Sequence, residues 1–322
     1  MLTRRTALLS GAGAFIAGTA RGSTFPTRPI RLVIPFAAGG GTDVPGRIMA
    51  DAISRSLGQP VTVENRTGAG GTLGMELVVR SAPDGYTLVL TSNGAISTSK
   101  LIYPNLPFDP LRDLLPISGW FKVDNVLLVR ADSRFRSIAD VLAAARRDPG
   151  QITFGSGGHG STLHLMGEMF QFRSGVRLTH VPYRGGAAAM IDLIGGNIQT
   201  AFDSLPSAVP QIQAGAVRAL ASCGATRSPF LPNVPTMTEA GIKDFTEFSW
   251  GGVFAPAATP PAVVNRIADA IIAAGRDPAV LARMASSSAE AIPNTPAEFA
   301  VMVREEAARW EPVVRAANIA AG

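Results

Sequence analysis

Cysteine is almost missing from the 322-residue sequence: Cys223 stands alone, so no intrachain disulfide and no cysteine-based metal or redox motif can form. Charge is also scarce, with Asp, Glu, Lys and Arg supplying 16% of the residues. The formal net charge of +5 includes Arg4, Arg5 and Arg21; without them 26 basic residues face 24 acidic ones, an excess of +2. No run of Lys and Arg interleaved with aromatics remains, which argues against a nucleic-acid partner. Beyond the N-terminal segment no stretch reaches the ~20 consecutive apolar residues that a transmembrane helix needs. Catalytic signatures are equally thin. There is no Gly-x-Ser-x-Gly elbow, no pair of carboxylates in a glycine loop and no recognisable triad.

The sequence is rich in small and apolar residues instead. Thirty-four glycines and 24 prolines accompany a 46% hydrophobic fraction, enough apolar material for two domains with cores of their own and many short elements joined by tight turns. Arg4 and Arg5, the apolar run Ala7 to Ala20 and the small residues after it have the form of an export signal over residues 1–22. The run is too short for a membrane span, and Gly11, Gly13 and Gly18 make a poor helix interior. The signal places the mature protein in the periplasm; either the general or the twin-arginine route is compatible with it.

Hydrophobic periodicity predicts repeated strand, glycine loop and helix units. Ile30 to Phe36 is a β-branched apolar run that ends in Ala37-Ala38-Gly39-Gly40-Gly41-Thr42-Asp43, after which Ile48, Ala52 and Ile53 share a helix face. Val61 to Arg66 leads into Gly68-Ala-Gly-Gly71 and a helical pattern at Leu73, Leu77 and Val78; a strand follows at Tyr86 to Thr91. A second series has strands at Val126 to Val129, Ile152 to Phe154, His180 to Tyr183, Thr200 to Asp203 and Val217 to Ser222, with helices at Ile138 to Arg147, Leu163 to Phe172 and around Met190, Ile191 and Ile194. An extended segment at Phe248 to Ala255 precedes three helices, Ala262 to Ala273, Ala279 to Ser286 and Ala297 to Ala317. Such alternation is the pattern of parallel α/β sheets, in which ligands sit at the carboxyl ends of the strands. The tail would complete a first lobe that lacks closing helices, so the chain is expected to leave it near Asp124 and return near Phe248.

The glycine loops are the candidate binding elements. At Gly39 to Thr42 and at Gly155-Ser156-Gly157-Gly158-His159-Gly160-Ser161, glycine permits close backbone approach and the following helix start carries partial positive charge, which suits a carboxylate. The first loop is neither a P-loop nor a dinucleotide fingerprint. Ser156, Ser161 and Thr162 can add hydroxyl donors. Tyr183, Arg184 and Gly185 open the next helix, with Arg184 able to pair with an acidic ligand. Asp203, at a strand end, can select a hydroxyl or amine, or cap a helix. His159 and His164 are five apart, wrong for one helical face, and no cysteine or third paired histidine lies near them, so a loop-lining role without metal is expected.

Together, Pro35-Phe36 to Asp43, Glu64-Asn65-Arg66-x-Gly-Ala-Gly-Gly71, Pro83-Asp84-Gly85-Tyr86-Thr87, Gly155 to Ser161 with His164-Leu165, His180-Val-Pro-Tyr-Arg-Gly185 and Phe202-Asp203 resemble the Bug-type, or TctC-like, receptors of tripartite tricarboxylate transport systems. The resemblance runs from about Pro29 to the C-terminus and departs at Ser204, where the family often has Asn. It implies an α/β type II periplasmic-binding-protein fold: two α/β lobes with a cleft and two hinge crossings, residues 23–124 plus 249–322 forming one lobe and 125–248 the other. It further implies that backbone amides and bridging waters from Ala37 to Thr42 and Gly155 to Ser161 hold a ligand carboxylate. Phe36, Asp43 and Gly71 would stand beside them, and Ser92, Asn93, Tyr183 and Asp203 would tune the choice among di- and tricarboxylates, amino acids and aromatic acids. The expected protein is a monomeric receptor without cofactor that delivers its ligand to membrane transporter subunits. Two other readings share the binding step: a ligand-sensing partner of a membrane kinase, and a secreted enzyme using His159, His164 or Asp203 as base.

Overall fold

The computed structural model describes residues 25–316 and Ile319; the export-signal segment at 1–22 lies outside them. In chain order the elements are β1 (Ile30–Ile34), α1 (Asp43–Leu57), β2 (Val61–Asn65), α2 (Thr72–Val79), β3 (Thr87–Ser92), α3 (Asn93–Ile102), α4 (Pro110–Asp113), β4 (Leu114–Arg130), α5 (Ile138–Arg147), β5 (Thr153–Ser156), α6 (Thr162–Ser174), β6 (Thr179–Pro182), α7 (Gly186–Gly195), β7 (Thr200–Ser204), α8 (Leu205–Gln213), β8 (Val217–Ser222), β9 (Phe248–Pro256), α9 (Pro261–Ala274), α10 (Pro278–Ser286), β10 (Glu290–Ala291) and α11 (Pro296–Ala316).

Local chemistry sets many of these boundaries. Gly58 ends α1 in the left-handed region (φ 69°) and donates its N–H to the Ser54 carbonyl. Ser137 and Asp140 form a reciprocal capping box at the start of α5, and Ser161 Oγ accepts the His164 N–H at the start of α6. Two helix faces differ from the sequence pattern. In α2 the core takes Met75 and Val78 while Leu73 is exposed; in α7 it takes Ala189, Met190 and Leu193 and leaves Ile191 71% exposed. Short helices of mostly apolar residues have no polar face to orient them, so the neighbouring strand chooses the buried side.

The strands form two sheets that share β4. One runs β2-β1-β3-β9-β4-β10, with β1 parallel to β2 and β3; the other runs β8-β4-β7-β5-β6, with β5 parallel to β6 and β7. The sequence pattern marks only Val126 to Val129 as strand here, yet β4 is a single 17-residue strand that passes from one sheet into the other. Its apolar run is interrupted by Gly119, Lys122 and Asp124, which hides its continuity from any test of periodicity. Asp124 and Phe248, the positions at which the sequence pattern puts the two crossings, are register partners at the end of the β4–β9 ladder.

One core packs the first sheet against α1, α2 and α9, and another packs the second sheet against α5 and α6. Helix α11 serves both: Phe299 and Val303 belong to the first core, whereas Trp310 and Val314 belong to the second. Between them the Glu306 carboxylate accepts hydrogen bonds from Asn93 Nδ2 (2.7 Å), Trp310 Nε1 (2.9 Å) and Arg309 Nη2 (3.0 Å). Asn93 in turn accepts from Thr162 Oγ1 at 2.6 Å, so this chain of bonds runs from α11 through α3 to α6. Glu306→Ala strands the buried Asn93 and Trp310 donors and is expected to cost about 2–4 kcal/mol of stability, read as a lower denaturant midpoint in equilibrium unfolding.

Candidate functional site

Five helices begin at one cavity between the sheets. Gly40, Gly41 and Thr42 before α1, Ser92 before α3, Ser161 and Thr162 at the start of α6, Gly186 at the start of α7 and Ser204 before α8 all line it. Each helix follows the carboxyl end of β1, β3, β5, β6 or β7, so the strand order of the two sheets turns their starts toward a common point. The first N–H groups of a helix have no partner within it and carry the positive end of its dipole, so the cavity attracts an anion. Among the described residues no Lys or Arg lines it. Phe36, Phe121, Val123 and Leu163 supply an apolar wall, and the buried hydroxyls of Ser92 and Ser204 have no protein partner. An anion with an apolar body and further acceptor oxygens fits this inventory.

Asp203 is the one carboxylate in the lining. It is fully buried, and desolvation raises its pKa to about 6 although Ser207 Oγ (2.8 Å) and the Ser204 N–H (2.8 Å) donate to it.

Of the residues singled out in the sequence, Phe36, Gly40, Gly41, Thr42, Ser92, Gly157, Ser161, Thr162 and Asp203 line this cavity. The others stand elsewhere. Asp43 is buried and closes its own loop, accepting from Gly39 N (2.9 Å), Arg47 Nε (2.8 Å) and Asn65 Nδ2 (2.8 Å). Ala38 and Gly39 are exposed on the rim. Asn93 belongs to the Glu306 network. His159, Tyr183 and Arg184 line a second, neighbouring cavity with Gly70 and Tyr103. Tyr183 gives its hydroxyl to Asp192 at 2.6 Å, and burial with this bond pushes its pKa up to about 12. Ser156 Oγ lies 2.6 Å from His180 Nε2, and Gly160 donates its N–H to His164 Nδ1. Residues that sequence reasoning missed are Phe121, Val123 and Ser249, which come from the crossing strands β4 and β9 and bear no local signal of a site.

Several glycines allow the two sides of the cleft to touch. A Cβ on Gly41 would lie 1.9 Å from Ser204 Oγ, one on Gly185 2.7 Å from Ala37 N, and one on Gly70 1.8 Å from the His159 carbonyl oxygen. Tyr103 Oη donates to that same carbonyl at 3.0 Å. Gly71 faces Phe36 and Ala95 within the first side.

A third histidine, unseen in the sequence pattern, stands beside His159 and His164. His180, sixteen residues after His164, stacks on it with ring centroids 3.9 Å apart, and His159 stands edge-on to both at 4.9 and 5.3 Å. Burial, followed by the two neighbouring rings, lowers the His180 pKa to about 2, and burial lowers that of His159 as well. β6 lies beside β5 in the sheet, and this pairing brings His180 to the loop.

Two α/β halves joined by two crossing strands, with a cavity between the carboxyl ends of their strands, define a type II periplasmic-binding protein. The sequence profile of the tripartite tricarboxylate transporter family receptor matches residues 46–319, and the chain belongs to that family. It is 36% identical to Protein BugT of Bordetella pertussis over 316 residues, covering 96% of this chain and 97% of that one. Among solved structures, R. palustris Rpa4515 with adipate superposes with a TM-score of 0.87 at 34% identity, over 91% of this chain and 98% of the other. MatC from Rhodopseudomonas palustris with bound malate gives 0.86 at 31% identity, over 90% and 100%. No described helix is long and apolar enough to cross a membrane.

Proposed function

We infer that the chain is a periplasmic receptor that closes on a small carboxylate and presents it to the membrane subunits of a tripartite tricarboxylate-type transporter. The observation that carries this reading is the convergence of five helix starts on a cavity lined by no basic side chain. Main-chain dipoles hold an anion without a fixed counter-ion, which keeps it releasable. Adipate and malate in the related structures are both dicarboxylates of this size class. The candidate ligand-contacting set is Phe36, Gly41, Thr42, Ser92, Gly157, Ser161 and Asp203.

The lobes are residues 23–124 with 249–322 and residues 125–248. They swing about the β4 and β9 crossings at Asp124 and Phe248, with α11 spanning the hinge. Ligand binds the folded protein alone and therefore stabilises it. In a thermal-shift panel of di-, tri-, hydroxy-, amino and aromatic acids, at least one is expected to raise the melting temperature by several degrees. A flat response across the panel overturns the reading.

A further inference from the structure

We propose that His159, His164 and His180 form a binding site for one divalent transition-metal cation of the zinc or nickel type, next to the second cavity that His159 lines and outside the lining of the carboxylate cavity. This inference does not depend on the transport reading.

Each of the three imidazoles offers a ring nitrogen within 4.8 Å of the others. They come from three elements, the β5–α6 loop, the first turn of α6 and β6. His180 Nδ1 is buried with no hydrogen-bond partner, the condition of a group that an ion or water completes. Its other nitrogen lies 2.6 Å from Ser156 Oγ, which already accepts the Gly158 N–H. With the Ser156 hydroxyl directed at the Gly158 carbonyl (3.4 Å), Nε2 donates to Ser156 Oγ, and this tautomer leaves the Nδ1 lone pair free. A hydrogen bond at the far nitrogen is how proteins orient histidine ligands. His159 makes no side-chain hydrogen bond with described residues, so its ring is free to turn. His164 is held by the Gly160 N–H at Nδ1 and lies 3.5 Å from Glu168 Oε1 at Nε2, so it coordinates by exchanging one of these contacts for the metal. The Glu168 carboxylate stands at the edge of the cluster as a further oxygen donor.

Zinc–nitrogen bonds of ~2.05 Å in tetrahedral geometry put ligand nitrogens about 3.3 Å apart. Loading therefore draws the rings together by up to about 1.5 Å and turns the stacked pair out of its parallel arrangement. Three neutral imidazoles favour zinc, nickel or copper over magnesium and calcium, which take oxygen ligands.

The test uses the full mature chain without a histidine tag, stripped with chelator and titrated calorimetrically with ZnCl2, NiCl2 and MgCl2 in the absence of any organic acid. One equivalent of zinc and of nickel is expected to bind, and magnesium none. His159→Ala and His180→Ala are each expected to weaken zinc by at least about tenfold, since even outer-shell partners of metal ligands are worth that much. Cobalt loading is expected to give tetrahedral d–d absorption in the visible that both variants lose. His159 is on a partly exposed loop, so if His180→Ala fails to fold, the His159→Ala titration decides. The proposal is overturned if zinc gives no more heat than magnesium, or if His159→Ala binds zinc as the native protein does. The three rings are then an aromatic stack on Phe154 and nothing more.

Discussion

Gly41→Val is expected to weaken carboxylate binding by at least about a hundredfold, some 2.7 kcal/mol, while the unliganded protein melts within a few degrees of the native one. The asymmetry follows from geometry. The Gly41 backbone is not among the positive-φ glycines, so a side chain there meets no local strain in the open protein. Its Cβ would stand 1.9 Å from Ser204 Oγ and 2.6 Å from Ser204 Cβ, atoms that belong to the opposite side of the cleft. On the proposed lobe motion the collision belongs to the closed state alone, since Gly41 and Ser204 lie on opposite sides of the β4 and β9 crossings. Calorimetric titration with the acid identified by thermal shift gives the affinity, and circular dichroism gives the melting temperature. Adding Ser204→Gly to Gly41→Ala removes both colliding atoms and is expected to restore part of the lost affinity. Equal loss of binding and of folding in Gly41→Val would mean that the glycine serves only its own turn.

Asp203 is expected to make capture pH-dependent for acids that carry no amine. Its carboxyl is fully buried, receives hydrogen bonds from Ser204 N–H and Ser207 Oγ, and has no cationic side chain in the cavity lining, so its pKa stands at about 6. A ligand carboxylate entering the same cavity is a second negative charge, which raises that pKa further and draws in a proton. The sign follows from linkage. The complex holds one more proton than the free protein above pH 6, so affinity falls as pH rises, by up to about tenfold per unit, and levels off below pH 6. Asp203→Asn keeps the shape, removes the charge and is expected to flatten the profile and tighten binding at pH 7.5. Dissociation constants at pH 5.5, 6.5 and 7.5 check both statements. His180, held near 2 by burial, stays neutral throughout that range and does not mimic the effect. A native profile that tightens with rising pH would overturn the assignment of Asp203 as the group that opposes the ligand.

Much of this architecture is written in local sequence. Ile30 to Phe36 with its glycine loop, the Ser137 capping box, the uninterrupted pattern of α5 and the three C-terminal helices are each set by residues within a few positions of one another, and caps and periodicities act over that range. The glycine loops stand out in the sequence as candidate anion-binding elements for the same reason, since a strand end, glycines and a helix start are neighbours along the chain.

Which loops face each other is a matter of strand pairing across the whole chain. Nine of the candidate residues meet at one cavity, whereas His159, Tyr183 and Arg184 line another, because strand order and twist aim the loops after β5 and β6 and neither is encoded by adjacency in sequence. The same holds for Phe121, Val123 and Ser249, which enter the site from strands that read only as core, and for His180, which reaches His164 only through the pairing of β5 with β6. Residue order along the chain accounts for the elements and for the positive helix ends beside their glycines. Sheet pairing, a long-range choice made by the burial of whole faces, determined where those ends converge.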